Sequence, residues 1–344
     1  MPHRFAVTPK AVYGLGLIIG VLGCNSPGRV VGPTLGEVSL RIPGGRIFQL
    51  SAGSDGSLFA SGTGGVYRRR NEQAQWELLI PTPENITRMY SPSADDLFAL
   101  AGDCSQLYQW SSSAAWRRVK LPTSDSTLGS GTPGRCIDLY DIWGRKSTDV
   151  YIVGERGTII HYDGASWTLE SDPLIPERNP EAFLGYATLW SVSGDSERVF
   201  VAGGGPLVKD SGVWTLVKPP ATTRFPAYCD YGAVAVYRGD AYFAYNRCLI
   251  RLRENTLSLF TPQIPGLSGT IYRGQSQLDG TALFWTYYGE VVELSPEPIH
   301  LYSIDSVRAV GSAVLLGDYL YVGARRGRDG VVLRIPRRSK RSRP

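Results

Sequence analysis

The feature that most constrains this chain is a pattern that recurs along it. Leu139 to Glu170 reads LYDIWGRKSTDVYIVGERGTIIHYDGASWTLE, and Leu189 to Pro220 reads LWSVSGDSERVFVAGGGPLVKDSGVWTLVKPP. Each copy holds three or four short apolar strands, divided by Gly/Asp turns and closed by a Trp. A period of about 40 residues with this content describes one four-stranded blade of a β-propeller. The expected fold is therefore all-β, a seven-bladed propeller. In such a fold the function sits in loops.

The blade number follows from register. The mark of each second strand falls at Phe59, Phe98, Tyr151, Phe200, Tyr242, Leu283 and Tyr321, with spacings of 39, 53, 49, 42, 41 and 38. Turn residues precede the marks, for example Asp55-Gly56, Gly239-Asp240, Asp279-Gly280 and Gly317-Asp318. They supply the positive φ or Asx geometry of a tight hairpin. Each of the first six marks is followed by an outer-strand residue: Trp76, Trp116, Trp167, Trp214, Leu257 and Ile299. The repeated Trp residues are expected to wedge between neighbouring blades. The seventh mark has no such partner, because Arg337 already lies in a basic tail. The missing strand is available at the other end, where Glu37-Val38-Ser39-Leu40-Arg41-Ile42 alternates polar and apolar. Adding it to blade seven closes the ring and removes an open edge. Six or eight blades are the alternatives, since blades five and six are degenerate.

The fragment GTIIHYDGASW resembles the repeats of bacterial propeller lipoproteins. The likeness is strong over 139–170, fair over 189–217 and faint elsewhere, and it implies a fold, not an activity. The N-terminus agrees with it. His3, Arg4 and Lys10 precede an apolar stretch from Ala11 to Leu22, which is shorter than the roughly 20 residues of a spanning helix. Val21-Leu22-Gly23-Cys24 resembles a lipobox, although Val21 stands where Leu is commoner. An ordinary cleaved signal peptide or an uncleaved anchor is the plainer alternative. In that family Cys24 becomes the lipidated N-terminus, and several acyl chains hold a membrane where one does not. Asn25 after the Cys implies the outer membrane rather than the inner one. The implied organisation is a signal peptide over 1–23, a lipidated linker over 24–36, the propeller over 37–336 and a basic tail over 337–344. The implied location is the bacterial cell envelope.

Cys104, Cys136, Cys229 and Cys248 make an even set in an exported chain, which suggests disulfides. Three connectivities are open. Cys104–Cys136 and Cys229–Cys248 are favoured, because each pair then lies within or beside one blade. Such loops contribute about 3–4 kcal/mol each in the chain-entropy model. A metal site is the rival reading, but there is no C-x-x-C, and only His161 and His300 remain after cleavage. No metal or cofactor is expected.

Without residues 1–23 the chain carries 34 basic and 31 acidic residues, a net of +3. Arg334, Arg337, Arg338, Lys340, Arg341 and Arg343 account for more than that excess, so the basic character belongs to the tail. A solvated tail and a contact with anionic lipid, lipopolysaccharide or nucleic acid are its two readings; no nucleic-acid partner is expected for the fold.

The loops joining an outer strand to the next inner strand share one propeller face with the hairpins between second and third strands. Two joining loops are long, Pro122 to Asp138 and Ser171 to Thr188, and long loops in a compact fold carry function or disorder. On this face the candidate binding residues are Arg156, Glu177, Arg178, Tyr186, Arg247, Tyr287, Arg325, Arg326 and Arg328. Arginine with tyrosine suits a protein or anionic-glycan interface. Catalytic signatures are missing: no G-x-S-x-G, H-E-x-x-H, P-loop or Rossmann fingerprint occurs. Ser166-Trp167 and Asp163-Gly164 stand in the wrong order for a sialidase box. His161 reads as a packed or hydrogen-bonded strand residue, and His300 as lying in an irregular stretch. A glycosidase or lyase needs two carboxylates near the axis. Asp138 and Asp141 are the nearest candidates, and strand-end hydrogen bonding is their simpler role. The sequence thus points to a non-catalytic envelope platform for an unknown protein or glycan. A glycan-binding or glycan-degrading propeller and an assembly factor for a membrane complex are the alternatives.

Overall fold

The computed structural model describes residues 28–34, 36–82, 84–101, 106–122, 137–170, 188–218, 232–261, 263–295, 299–304, 307 and 309–337. They form twenty-nine strands in seven sheets. Blade one holds β3 (Ile47–Ala52), β4 (Leu58–Gly62), β5 (Gly65–Arg69) and β6 (Glu77–Pro81). Blade two holds β7 (Ile86–Ser93), β8 (Asp96–Ala101), β9 (Gln106–Ser111) and β10 (Ala114–Val119). Blade three holds β11 (Leu139–Lys146), β12 (Asp149–Gly154), β13 (Ile159–Tyr162) and β14 (Trp167–Leu169). Blade four holds β15 (Ser191–Gly194), β16 (Val199–Ala202), β17 (Leu207–Asp210) and β18 (Val213–Leu216). Blade five holds β19 (Ala233–Tyr237), β20 (Asp240–Tyr245), β21 (Cys248–Arg253) and β22 (Thr256–Thr261). Blade six holds β23 (Ile271–Ser276), β24 (Ala282–Thr286), β25 (Glu290–Leu294) and β26 (Ile299–Ile304). Blade seven holds β27 (Ala309–Leu316), β28 (Tyr319–Arg326) and β29 (Asp329–Pro336). Among the described residues no helix is long and apolar enough to cross a membrane.

The seven register marks all lie on second strands, and all are buried. Each enters a different inter-blade cluster. Phe59 packs with Met89 and Leu97, Phe98 with Ile142 and Val150, and Tyr151 with Val192 and Val199. Phe200 packs with Val234, Tyr242 with Phe284, Leu283 with Val322, and Tyr321 with Leu50. One large side chain in the middle of each blade therefore fills the seam to the next. A phenylalanine truncated at such a site costs about 3–5 kcal/mol. The Trp residues do wedge: Trp167 meets the Phe98 ring edge-on at 6.1 Å, and Trp214 meets Tyr151 at 6.3 Å.

The ring is closed as the alternation predicts. β2 (Glu37–Ile42) pairs antiparallel with β29, with Glu37 opposite Arg334 and Ile42 opposite Gly330. Blade seven is thus built from both ends of the chain. From β2, Ser39 accepts hydrogen bonds from Trp76 Nε1 (2.8 Å) and Arg69 Nη1 (3.3 Å) of blade one. Arg69 is itself buried over the rings of Trp76 and Tyr321. Close approach at this seam needs Gly311, where a Cβ would stand 2.7 Å from the Ile47 carbonyl.

One element was not legible. Within the stretch read as a linker, β1 (Gly28–Thr34) pairs parallel with β26 as a fifth strand of blade six. GRVVGPT has no polar–apolar alternation to mark it, and its strand character comes from the free edge of β26.

The closure can be tested directly. Deleting residues 36–43 removes Val38, Leu40 and Ile42 and leaves β29 as an open edge. Ile42 is buried and Val38 and Leu40 are partly buried, so at about 1.5–3 kcal/mol for a fully buried aliphatic side chain the expected loss is about 3 kcal/mol or more. Thermal and denaturant unfolding measure it; an unchanged melting curve refutes closure by this strand.

Candidate functional site

Strand directions put the second-to-third hairpins and the fourth-to-first connections at one end of the ring. Arg156 lies in a one-turn 3-10 segment at Glu155–Gly157, with a φ of 56°. Arg247 follows Asn246 in the β20–β21 turn, and Tyr287 lies in the β24–β25 turn. Arg325 and Arg326 end β28, and Arg328 lies in the turn before β29. These candidates share the face expected for them. Glu177, Arg178 and Tyr186 lie outside the described residues, as do Cys24, Cys104, Cys136 and Cys229. Cys248 opens β21 and is half-buried.

Inner strands of adjacent blades do not pair, so their edges present free backbone groups to the axis. Polar side chains satisfy them by reaching from blade to blade. Gln49 Oε1 accepts from Met89 N (2.7 Å) and its Nε2 donates to Met89 O (3.1 Å). Asp141 Oδ2 accepts from Val192 N (3.0 Å), and Ser191 Oγ accepts from Val234 N (3.3 Å). One layer down, Ser51 Oγ accepts from Ser91 N, Ser276 Oγ from Val236 N and Gln277 Oε1 from Leu315 N. Ser193 and Ser276 hydroxyls meet at 2.6 Å. What remains open is a cavity of about 40 Å³ lined by residues that include Arg88, Asp141, Arg273 and Trp285.

Two guanidinium groups stand at its mouth on the candidate face. Arg88 Nε donates to Tyr140 O at 2.8 Å, and Arg273 Nη1 donates to Trp190 O at 2.7 Å. Arg88 Nε lies 4.0 Å from Asp141 Oδ1. Burial, with Arg273 beside it, pushes Arg88 down to about 10, while Asp141 opposes the fall. It remains a cation at neutral pH. Burial raises Asp141 above the usual carboxylate range, against the pull of Arg273 and Arg88. Asp141 also accepts from Ile142 N at 3.1 Å. It does the structural work expected of a strand-end aspartate, and Asp138 contributes its backbone carbonyl to Glu155 N. Aromatic pairs flank the mouth: Tyr140 with Trp190 at 4.7 Å, and Tyr272 with Tyr287 at 4.1 Å. The Tyr272 hydroxyl donates to Val310 O, and Tyr287 is 57% exposed. The hairpin that carries it is pinned by buried Glu290, which accepts from Ser268 N, Ser268 Oγ, Gly269 N and Thr286 Oγ1.

Of the mouth residues, the sequence reading named only Tyr287 and Asp141. Arg88, Arg273, Tyr140, Trp190 and Tyr272 were missed. Their signal is positional. Ile-Phe-Gln49, Ile-Thr-Arg88, Leu-Tyr-Asp141, Leu-Trp-Ser191 and Ile-Tyr-Arg273 set one polar residue third in each motif, and that residue faces the axis.

The opposite face holds a groove of about 800 Å³ lined by Asp195, Arg238, Asp279, Glu293, His300, Asp318 and Arg337 among others. His300 stands on β26, opposite Glu293 in register, rather than in an irregular stretch. Arg337, read as the first residue of the tail, is anchored: it donates to Glu293 Oε1 (2.6 Å) and Asp279 Oδ2 (2.7 Å). Among the described residues no group of His, Cys, Asp and Glu could hold a metal ion.

His161 is hydrogen-bonded, as its strand position implies. Its Nε2 is 2.7 Å from Asp149 Oδ1, its Nδ1 is 3.0 Å from Glu170 Oε1, and its ring stacks on Tyr151 at 4.2 Å. Two carboxylates facing both ring nitrogens require both to donate, which is the imidazolium. Burial alone would lower its pKa, but the bonds to Glu170 and Asp149 outweigh it, so the net shift is upward. Burial likewise fails to raise Glu170. Bonds from His161, Lys209 and Trp214 hold it at about 2. Bonds from Arg145 and His161 lower Asp149 despite its burial.

No protein-family model matches the chain, and no curated protein matches its sequence. Its fold is similar to that of a catalytically inactive virginiamycin B lyase from Staphylococcus aureus with quinupristin, at a TM-score of 0.63 and 12% identity over 86% of this chain and 98% of that one. It is similar to YCF48 bound to D1 peptide, at 0.59 and 11% over 90% and 97%. It is also similar to U3-55K, at 0.58 and 12% over 85% and 95%. At such identities the likeness establishes the propeller and nothing finer.

The His161 network sets a pH dependence. A raised imidazole contributes stability that is full below its ordinary value of 6.5 and is lost as pH rises through the shifted one. The lowered Glu170 contributes stability present above 4.5 and lost as pH falls toward about 2. Stability from this network is therefore greatest between those limits. Urea unfolding at pH 5.5 and pH 8.5 should show wild type losing stability at the higher pH and His161→Gln losing less. Equal losses refute the coupling.

Proposed function

We propose that this protein is a lipid-anchored envelope protein that binds another protein, without catalysis, through the face carrying the channel mouth. The observation that carries this reading is the side-chain set on that face. Arg88 and Arg273 at the axis, with Arg156, Arg247, Arg325, Arg326 and Arg328 on hairpins around it, share the face with the exposed Tyr287 and Tyr288. Tyr and Arg are the residue types that dominate binding energy at protein interfaces. The solved propeller with a bound peptide is in keeping with a protein partner. Asp141, the carboxylate at the axis, is engaged by backbone N–H groups and held beside arginines, which suits structure better than general acid or base work.

The lipobox reading fits the topology of the chain ends. Gly28 pairs with Ile299, at the end of β26 that borders the groove on the opposite face. Cys24 is four positions before Gly28, a reach of at most about 14 Å. Arg337 leaves the fold at that same groove, next to Glu293, and the remaining basic residues follow it. A lipid on Cys24 and a basic tail would then act on one side as two membrane signals. The arginine and tyrosine face would point away from the bilayer, free for a partner.

Three measurements test this. Cys24→Ala should move the protein from the membrane pellet to the soluble fraction; unchanged pelleting refutes lipid anchoring. Peptide mapping of the exported protein should show Cys104 joined to Cys136 and Cys229 to Cys248, and reduction should lower the melting temperature. A peptide joining Cys136 to Cys229 refutes that pairing. Crosslinking in the native membrane should capture a protein with wild type and lose it when Arg325, Arg326 and Arg328 are changed to Ser. Capture of the same protein by both forms, or of none by either, overturns the platform reading at this face.

A further inference from the structure

We propose that the channel mouth is a socket for one carboxylate on a slender stalk, an aspartate or glutamate side chain of the partner protein. This deepens the platform reading and rests on it. The first reason is charge. Arg88 and Arg273 bring two positive charges to the mouth, and among the described residues Asp141 is the one carboxylate in its lining. Asp141 is turned to the backbone, accepting from Ile142 N and Val192 N. One positive charge at the mouth is left without a counter-charge among the described residues of the lining. A buried cation of this kind is stabilised when an anion arrives.

The second reason is an unused donor. Arg273 holds Trp190 O through Nη1, while its Nε has no acceptor and is covered by protein, so a carboxylate engages it when the guanidinium turns toward the mouth. The Nε edge of a guanidinium fits one planar carboxylate through two parallel hydrogen bonds. The third reason is size. A water needs about 10–15 Å³ of such space, so a cavity of about 40 Å³ holds a few small polar atoms. A carboxylate group fits, whereas a pyranose ring does not. The stalk would pass between the Tyr140–Trp190 and Tyr272–Tyr287 pairs, whose faces accept methylene groups. Arginines on the surrounding hairpins would steer an acidic segment toward the socket.

The probe is a fluorescein-labelled peptide of ten glutamates, with ten glutamines as the neutral control, followed by anisotropy at low salt against the full mature chain. Wild type should bind the glutamate peptide and not the glutamine one. Arg273→Met should weaken binding at least tenfold with an unchanged melting temperature, and Arg273→Lys should recover part of it. Arg238→Ser, on the opposite face, should leave binding unchanged. Should Arg273→Met fail to fold, Tyr287→Ser carries the test, because Tyr287 is mostly exposed; it too should weaken binding. Equal binding by wild type and these mouth variants overturns the socket, since rim arginines alone would then explain it. So does binding of polygalacturonate in place of the glutamate peptide, or no binding at all. The two readings fail separately. A crosslinked partner lost on changing the rim arginines but kept in Arg273→Met leaves the platform and removes the socket. Glutamate binding lost in Arg273→Met, with no protein captured in the membrane, leaves the socket and removes the platform.

Discussion

The constraint on which the rest of the structure depends is the unpaired inner edge of every sheet. Seven sheets arranged about an axis leave seven rows of N–H and C=O groups with no strand to meet them. Here the inner strands answer with side chains, and each reaches a neighbouring blade. Gln49 holds blade two to blade one, Asp141 holds blade four to blade three, and Ser191 holds blade five to blade four. The same bonds satisfy the backbone and set the spacing of the blades. They also decide which residue types can line the channel, because most positions must accept from an N–H group. Arg88 and Arg273 depart from that rule: they donate to carbonyls instead and leave positive charge at the mouth.

The outer parts of the blades are held by different physics. Each seam is filled by one large second-strand side chain, and the Trp residues cover the seams nearer the rim. This burial is nondirectional, so it tolerates Leu283 in place of an aromatic. The closing seam differs, since β2 must be brought from the far end of the sequence. There β2 completes a sheet with the last strand of the chain, and Ser39, Trp76, Arg69 and Tyr321 tie it to blade one. Closure entropy for so long a loop grows only slowly with length, so a six-residue strand suffices to hold the ring.

The architecture was legible because burial and turn chemistry repeat. The seven marks, the Gly/Asp turns and the alternating EVSLRI strand are local patterns with one structural meaning each. β1 was not legible, because its strand state is imposed by the edge of β26 rather than by its own residues. The face of the candidate site was legible from strand order alone, which placed Arg156, Arg247, Tyr287, Arg325, Arg326 and Arg328 together. The mouth was not. Arg88 and Arg273 are 185 positions apart, and only closure of the ring sets them around one cavity. His161 shows the middle case: its strand position foretold a hydrogen-bonded role, but not that Asp149 and Glu170 would hold both nitrogens.

Charge placement links the fold to its use. Several half-buried cations among the described residues are matched: Arg145 by Asp149, Lys209 by Glu170, Arg337 by Asp279 and Glu293. Arg69 lacks a carboxylate but lies over two aromatic rings, which offset part of its desolvation. At the mouth, among the described residues, one carboxylate faces two guanidinium groups. Apolar residues at 88 and 273 would avoid that desolvation cost but would leave the Tyr140 and Trp190 carbonyls without their donors. Two arginines at the axis carry a desolvation cost that their bonds to carbonyls offset in part, and an arriving carboxylate would offset more of it.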